Sequence, residues 1–249
     1  MEGNSHSPQS RSVPNNPATS LGIVIDRSSS LKAKINSQSP SFFELENLFV
    51  KKILKDKAIK DYSITLFAGK PYYPSSTKLK PLLKIAPSEE NDGSAIYNAI
   101  LASALLDGAL KPGHPPYSIL LLTDGFDNSS SISEKTLTNL LLRNNIRLDV
   151  VAFASKNDSI YYSFNDSTGF ERIKNLQEFC DVKRIARNTN GEFVLVDSDS
   201  QIQNALRKIK SKIANRESPL QQEDDDFNPD ETLLNSLYNE IESSTRLKF

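Results

Sequence analysis

Leu21-Gly-Ile-Val-Ile-Asp26-Arg-Ser-Ser-Ser30 is an apolar run that ends abruptly in Asp-x-Ser-x-Ser, and the reading of the whole chain grows from it. The consecutive apolar positions predict a strand covered on both faces, as in a parallel sheet flanked by helices. Similar short runs recur at 62–67, 119–122, 148–153 and 193–196, and a further edge strand is expected at 81–85, where Pro81 would cost no ladder bond. Between them the apolar spacing turns helical. Residues 42–54 place Phe42, Leu45, Phe49 and Ile53 on one stripe, widened by Leu48 and Val50, and comparable faces mark 95–110, 134–144, 173–187 and 200–213. Alternating strands and helices predict an α/β domain.

Composition bounds the rest. A chain of 249 residues with 37% apolar content has material for one sizeable core. Residues 1–18 are rich in Ser, Pro and Asn and poor in large apolar side chains, which predicts a disordered N-terminal tail. The domain is expected over 19–216, an acidic linker over 217–228, and an amphipathic helix and tail over 229–249. Asn228 and Pro229 suit the start of that helix, and Leu233, Leu234, Leu237, Tyr238 and Ile241 form its stripe. Residues 154–171 form a polar stretch carrying Tyr161, Tyr162 and Phe164, longer than an ordinary connection. It reads as a surface insertion packing back on the domain, or as part of a binding surface.

Thirty basic residues against 31 acidic ones leave a net charge of -1, so no overall field points to nucleic acid or to an anionic membrane. Cys180 is the single cysteine, which excludes an internal disulfide and fits a reducing compartment. With no apolar leader and no run long enough for a membrane span, the expected setting is intracellular, cytoplasmic or nuclear. Only His6 and His114 could serve as imidazole bases. The first lies in the tail and the second in a Pro/Gly loop, which leaves little for nucleophilic catalysis.

Chemistry gathers where strands end. In an open parallel sheet the carboxyl ends of the strands face the ligand crevice. Asp26 closes the first strand, with Ser28 and Ser30 leaving it in a turn. Asp124 follows another central strand in Ile119-Leu-Leu-Leu-Thr-Asp-Gly125. Ser94 follows Gly93 and opens a helix. Carboxylates and hydroxyls are hard oxygen donors that suit Mg²⁺, with Mn²⁺ or Ca²⁺ as substitutes. Each piece alone also fits a plain serine turn, an Asp-Gly turn or a helix cap.

Together, Asp26-x-Ser28-x-Ser30, Gly93-Ser-Ala-Ile-Tyr-Asn-Ala99 and Leu121-Leu-Thr-Asp-Gly-Phe-Asp-Asn128 resemble the von Willebrand factor type A family with its metal-ion-dependent adhesion site. The stretch 182–193 is similar to the late helix, turn and strand of that family. The resemblance implies a three-layer αβα Rossmann-like domain with a mostly parallel central sheet and one antiparallel edge strand. It also implies that Ser28, Ser30 and Ser94 ligate the metal directly. Asp26 and Asp124 would hold it through water or exchange into the first shell, and an open position would take an Asp or Glu from a protein partner. Three features depart from the pattern. Ser94 stands where the family has Thr, Ser29 stands where many members have Gly, and Arg27 would bring positive charge to the site if it turned inward.

The expected function is therefore a metal-dependent protein-interaction module and not an enzyme. Two alternatives stand beside it. One is a metal-free scaffold domain of the same fold, and the other is a metal-dependent phosphohydrolase with Asp26 as nucleophile. Against the second, Ser28 stands where haloacid-dehalogenase-like enzymes want a second Asp.

Overall fold

The structure is a computed structural model describing residues 20–214 except 35, 37, 58, 60, 75–77, 90–92, 112–113, 126, 155–158, 164–168 and 174–178. The tail, the acidic linker and the C-terminal helix expected from the sequence lie outside the described residues, as does Phe164.

The elements run β1 (Ser20–Asp26), α1 (Phe42–Ile53), β2 (Asp61–Phe67), β3 (Pro71–Tyr72), α2 (Leu79–Leu82), α3 (Ile96–Leu106), β4 (Tyr117–Thr123), α4 (Glu134–Arg143), β5 (Ile146–Phe153), β6 (Ser159–Ser163), β7 (Gly169–Ile173), α5 (Cys180–Asn188), β8 (Phe193–Val196) and α6 (Asp199–Ala214). The main sheet has the order β3-β2-β1-β4-β5-β8. All its strands are parallel except β3, which pairs antiparallel with β2 at the edge. This is a three-layer α/β Rossmann-like architecture, as expected.

Every residue of β4 and β5 is buried, because helices cover both faces of the sheet centre. On one face, Leu21, Ile23 and Ile25 of β1 join Phe42, Leu45, Phe49 and Ile53 of α1 and Ile202, Leu206 and Ile209 of α6. On the other, Val24, Ile119, Leu121 and Val150 pack under α3, α4 and α5. Alternate residues of one strand thus feed two cores. Phe42, Leu45, Phe49, Val50 and Ile53 of the α1 stripe are buried as predicted, while Leu48 is half-buried. Helix α3 is buried from Ile96 to Ala104, which matches its nearly unbroken apolar sequence.

Three expectations need correction. Residues 81–85 do not form the edge strand. Pro81 lies in the first turn of α2, where a helix, like a sheet edge, has no use for its missing N–H. The edge belongs to the two-residue β3. The helix expected over 173–187 spans Cys180–Asn188, and Ile173 instead ends β7. Finally, part of the 154–171 insertion is not loop but an antiparallel pair, β6 with β7, joined from Ser159 opposite Ile173 to Ser163 opposite Gly169. Neither Ser-Ile-Tyr-Tyr-Ser nor Gly-Phe-Glu-Arg-Ile shows the period-2 alternation that marks a strand in sequence.

Among the described residues, no helix is long and apolar enough to cross a membrane.

Candidate metal centre

β1 pairs with β2 on one side and β4 on the other, in register from Leu21 opposite Ser118 to Ile25 opposite Leu122. The chain therefore reverses its direction of strand addition between β1 and β4, and the carboxyl ends at this switch point are where an open α/β sheet forms its crevice. Asp26 is the last residue of β1, and Asp124 directly follows β4. Parallel register brings together two acids separated by 98 positions in the sequence.

Both carboxylates are fully buried. Thr123 Oγ1 donates to Asp26 Oδ2 at 2.6 Å, and the Ser28 backbone N–H donates to Asp26 Oδ1 at 2.7 Å. Ser30 Oγ donates to Asp124 Oδ1 at 2.8 Å and lies 2.9 Å from Ser28 Oγ. Burial and, next, the neighbouring Asp124 charge hold the Asp26 carboxyl up at about 6, while hydrogen bonds from Thr123 and Ser28 pull it down. Asp26, Ser28, Ser30 and Asp124 thus form one continuous oxygen cluster.

The turn that supplies the hydroxyls is a single 3-10 turn, Ser29–Lys32, anchored by Leu31 in the core. Ser29 enters it at an ordinary negative φ, since Asn145 and Asn190 are the non-glycine residues with positive φ among those described. The position where many type A domains carry Gly therefore accommodates a side chain here without strain.

Ser94 lies near the residue that follows Asp124. It is nearly buried, and its Oγ lies 3.9 Å from where a Cβ on Gly125, the residue after Asp124, would stand. Gly93 has φ +78°, and a side chain there would collide with Ser129 and Asn128. The β4–α4 connection then caps the start of α3. Asn128 Oδ1 accepts from the Ser94 N–H at 2.6 Å, Asp127 Oδ1 from the Tyr97 N–H at 3.1 Å, and Ser130 Oγ from the Asn98 N–H at 3.0 Å. Ala95, at the N-cap, has no side chain to do this. Asn128 thus holds Ser94, while Ser130 and Ser131 bond Asn98 in the first turn of α3.

Arg27 is the clearest surprise. It is buried, and its side chain runs to α1. Nη1 donates to Glu46 Oε2 at 2.8 Å and to the Asp26 carbonyl at 2.5 Å, and the guanidinium sits 5.2 Å from the Phe43 ring centroid. Burial pushes the Glu46 carboxyl well above its ordinary range, with the guanidinium opposing it. Neither Thr123 nor Glu46 was marked as a site residue from sequence. Thr123 adjoins Asp124 in the quoted motif and could have been; Glu46 lies on a helix face with no local signal.

The donor set suits a hard divalent cation. Octahedral Mg²⁺ at about 2.1 Å from each ligand needs neighbouring oxygens about 3.0 Å apart, close to the 2.8 and 2.9 Å spacings of Ser30 with Asp124 and Ser28. Among the described residues, no three His, Cys, Asp or Glu side chains gather as a metal cluster, so the hydroxyls are essential to this reading. His114 hydrogen-bonds Pro115 and precedes the amino end of β4, the opposite end of the strand from Asp124.

No protein-family model and no curated relative matches the sequence. Solved structures do match the fold. An aerotolerance-related membrane protein from Bacteroides fragilis superposes with a TM-score of 0.61 at 20% identity, over 79% of this chain and 98% of that one. BatB from Bacteroides thetaiotaomicron gives 0.56 at 18% identity over the same shares. A von Willebrand factor type A protein from Catenulispora acidiphila gives 0.50 at 12% identity, over 78% of this chain and 42% of that one. The chain has a type A-like fold.

Proposed function

We propose that this chain is a protein-interaction module that binds an acidic side chain of a partner through a divalent metal held by Ser28, Ser30 and Ser94, with Asp26 and Asp124 behind them. The observation that carries this reading is the hydrogen-bonded run of Asp124, Ser30 and Ser28 beside the buried Asp26 at the switch point. Two buried carboxylates without a cation are costly, because each is desolvated and repels the other. Their placement at the carboxyl ends of adjacent central strands supports a site that offsets this cost by binding a cation.

The ion would supply an open coordination position for an incoming Asp or Glu. The protein's own residues do the rest. Ser28 and Ser30 present neutral oxygens, which leave a bound ion electron-poor. Thr123 and the Ser28 N–H hold the Asp26 carboxylate in one orientation. The phosphohydrolase reading is weaker, since both oxygens of Asp26 already accept hydrogen bonds and the residue is fully buried, which is poor preparation for nucleophilic attack.

Calorimetric titration with Mg²⁺ and Mn²⁺ tests the proposal. Binding should be weakened by Ser28→Ala and by Asp124→Ala. Absence of heat with either ion, in a folded protein, would refute it and leave the metal-free scaffold reading.

A further inference from the structure

Arg27 places a positive charge inside the very turn that is proposed to hold a cation. Its guanidinium hydrogen-bonds the Asp26 carbonyl, and the covalent frame of that residue keeps the charge within about 8 Å of the Asp26 carboxylate. At that distance an uncompensated charge opposes a divalent ion even through a well-screened medium. Yet one turn of α1 presents three groups suited to a guanidinium: the Phe43 ring face at 5.2 Å, Glu46 Oε2 at 2.8 Å, and Asn47 Oδ1 at 3.5 Å. Arg27 and Glu46 are both buried, and among the described residues Arg27 Nε and Glu46 Oε1 have no hydrogen-bond partner. A pair so incompletely satisfied is a poor source of stability, because desolvation offsets most of its attraction.

Resting on the metal reading above, we propose that Glu46 is a positioning residue of the centre. It holds the Arg27 guanidinium on the α1 side and neutralises it, so that the Asp26–Ser30 turn accepts a cation despite the arginine. Glu46 acts through Arg27 and does not touch the ion.

The test is calorimetric titration of Mn²⁺ at pH 8 into wild type, Glu46→Gln, Arg27→Met and the double variant, with thermal melts of each metal-free form. Glu46→Gln keeps an acceptor but leaves the arginine charge uncompensated, and should weaken Mn²⁺ binding by about tenfold. Arg27→Met should bind at least as well as wild type, and the double variant should return to within about threefold of it. If Glu46→Gln alone does not fold, the last two carry the test. With Arg27 gone, Glu46 has no guanidinium to hold or to neutralise, so removing it should cost far less than it does in the wild-type background. Unchanged affinity in a folded Glu46→Gln, or a tenfold loss from adding it to Arg27→Met, would overturn the proposal while leaving the metal reading intact. So would losses that merely track melting temperature. No Mn²⁺ binding by folded wild type would overturn both.

Discussion

Replacing Asp26 by asparagine should make the metal-free protein less sensitive to pH, and the size of the change follows from the burial of this carboxyl. Its proton affinity rises from 3.8 to about 6 on folding. A group whose folded value is raised binds more protons in the native state between those two values, so its contribution to stability is present at low pH and lost as pH rises through about 6. At about 1.4 kcal/mol per pH unit, the full loss is about 3 kcal/mol, of which about half falls between pH 5 and pH 8. An amide in its place cannot ionise. The stability of Asp26→Asn relative to wild type should therefore increase by about 1.5 kcal/mol on going from pH 5 to pH 8 in EDTA. Part of any absolute gain is offset, because an asparagine side chain has one carbonyl where the carboxylate accepts from both Ser28 and Thr123. Urea unfolding at pH 5, 6 and 8 measures the difference directly, and it cancels contributions from Asp127 and Asp149, which burial also raises. Parallel pH profiles for wild type and Asp26→Asn would refute the reasoning, as would a gap that narrows toward pH 8. Saturating Mg²⁺ should stabilise wild type at pH 8 more than the variant.

Ser41→Ala removes the capping box in which Ser41 Oγ accepts from the Glu44 N–H and Glu44 Oε2 accepts from the Ser41 N–H; a loss of about 1 kcal/mol is expected in urea unfolding. Gly191→Ala would set a methyl 1.8 Å from the Leu148 carbonyl oxygen, and because the obstacle is backbone it should cost more than about 2 kcal/mol, read as a lowered melting temperature. Asn128→Ala frees the Ser94 N–H and should cost about 1 to 2 kcal/mol. If Ser94 ligates the ion, calorimetry should also show weaker Mg²⁺ binding by that variant.

The strands and helices were legible because burial on both faces leaves unbroken apolar runs, and burial on one helix face leaves a stripe such as Phe42, Leu45, Phe49 and Ile53. The errors fell where that signal is thin. Leu79–Leu82 is one turn, too short for any period to show, and Pro81 suits a sheet edge as well as a helix start. In the β6–β7 pair, adjacent Ile160, Tyr161 and Tyr162 and adjacent Glu171 and Arg172 leave no alternation to read.

For the candidate centre, sequence alone determined the donor types, their order along the chain and their attachment to strand ends: Asp26, Ser28 and Ser30 after one strand, Asp124 after another, Ser94 at a helix start. Tertiary structure decided which of these meet. The adjacency of β1 and β4 brings Ser30 to Asp124, and the fold of Arg27 onto Glu46 turns an apparent intruder into a buried, paired charge. The reason is physical. Local periodicity encodes which face of an element is buried, whereas strand order and helix docking join residues far apart in the chain, and no local pattern records that pairing.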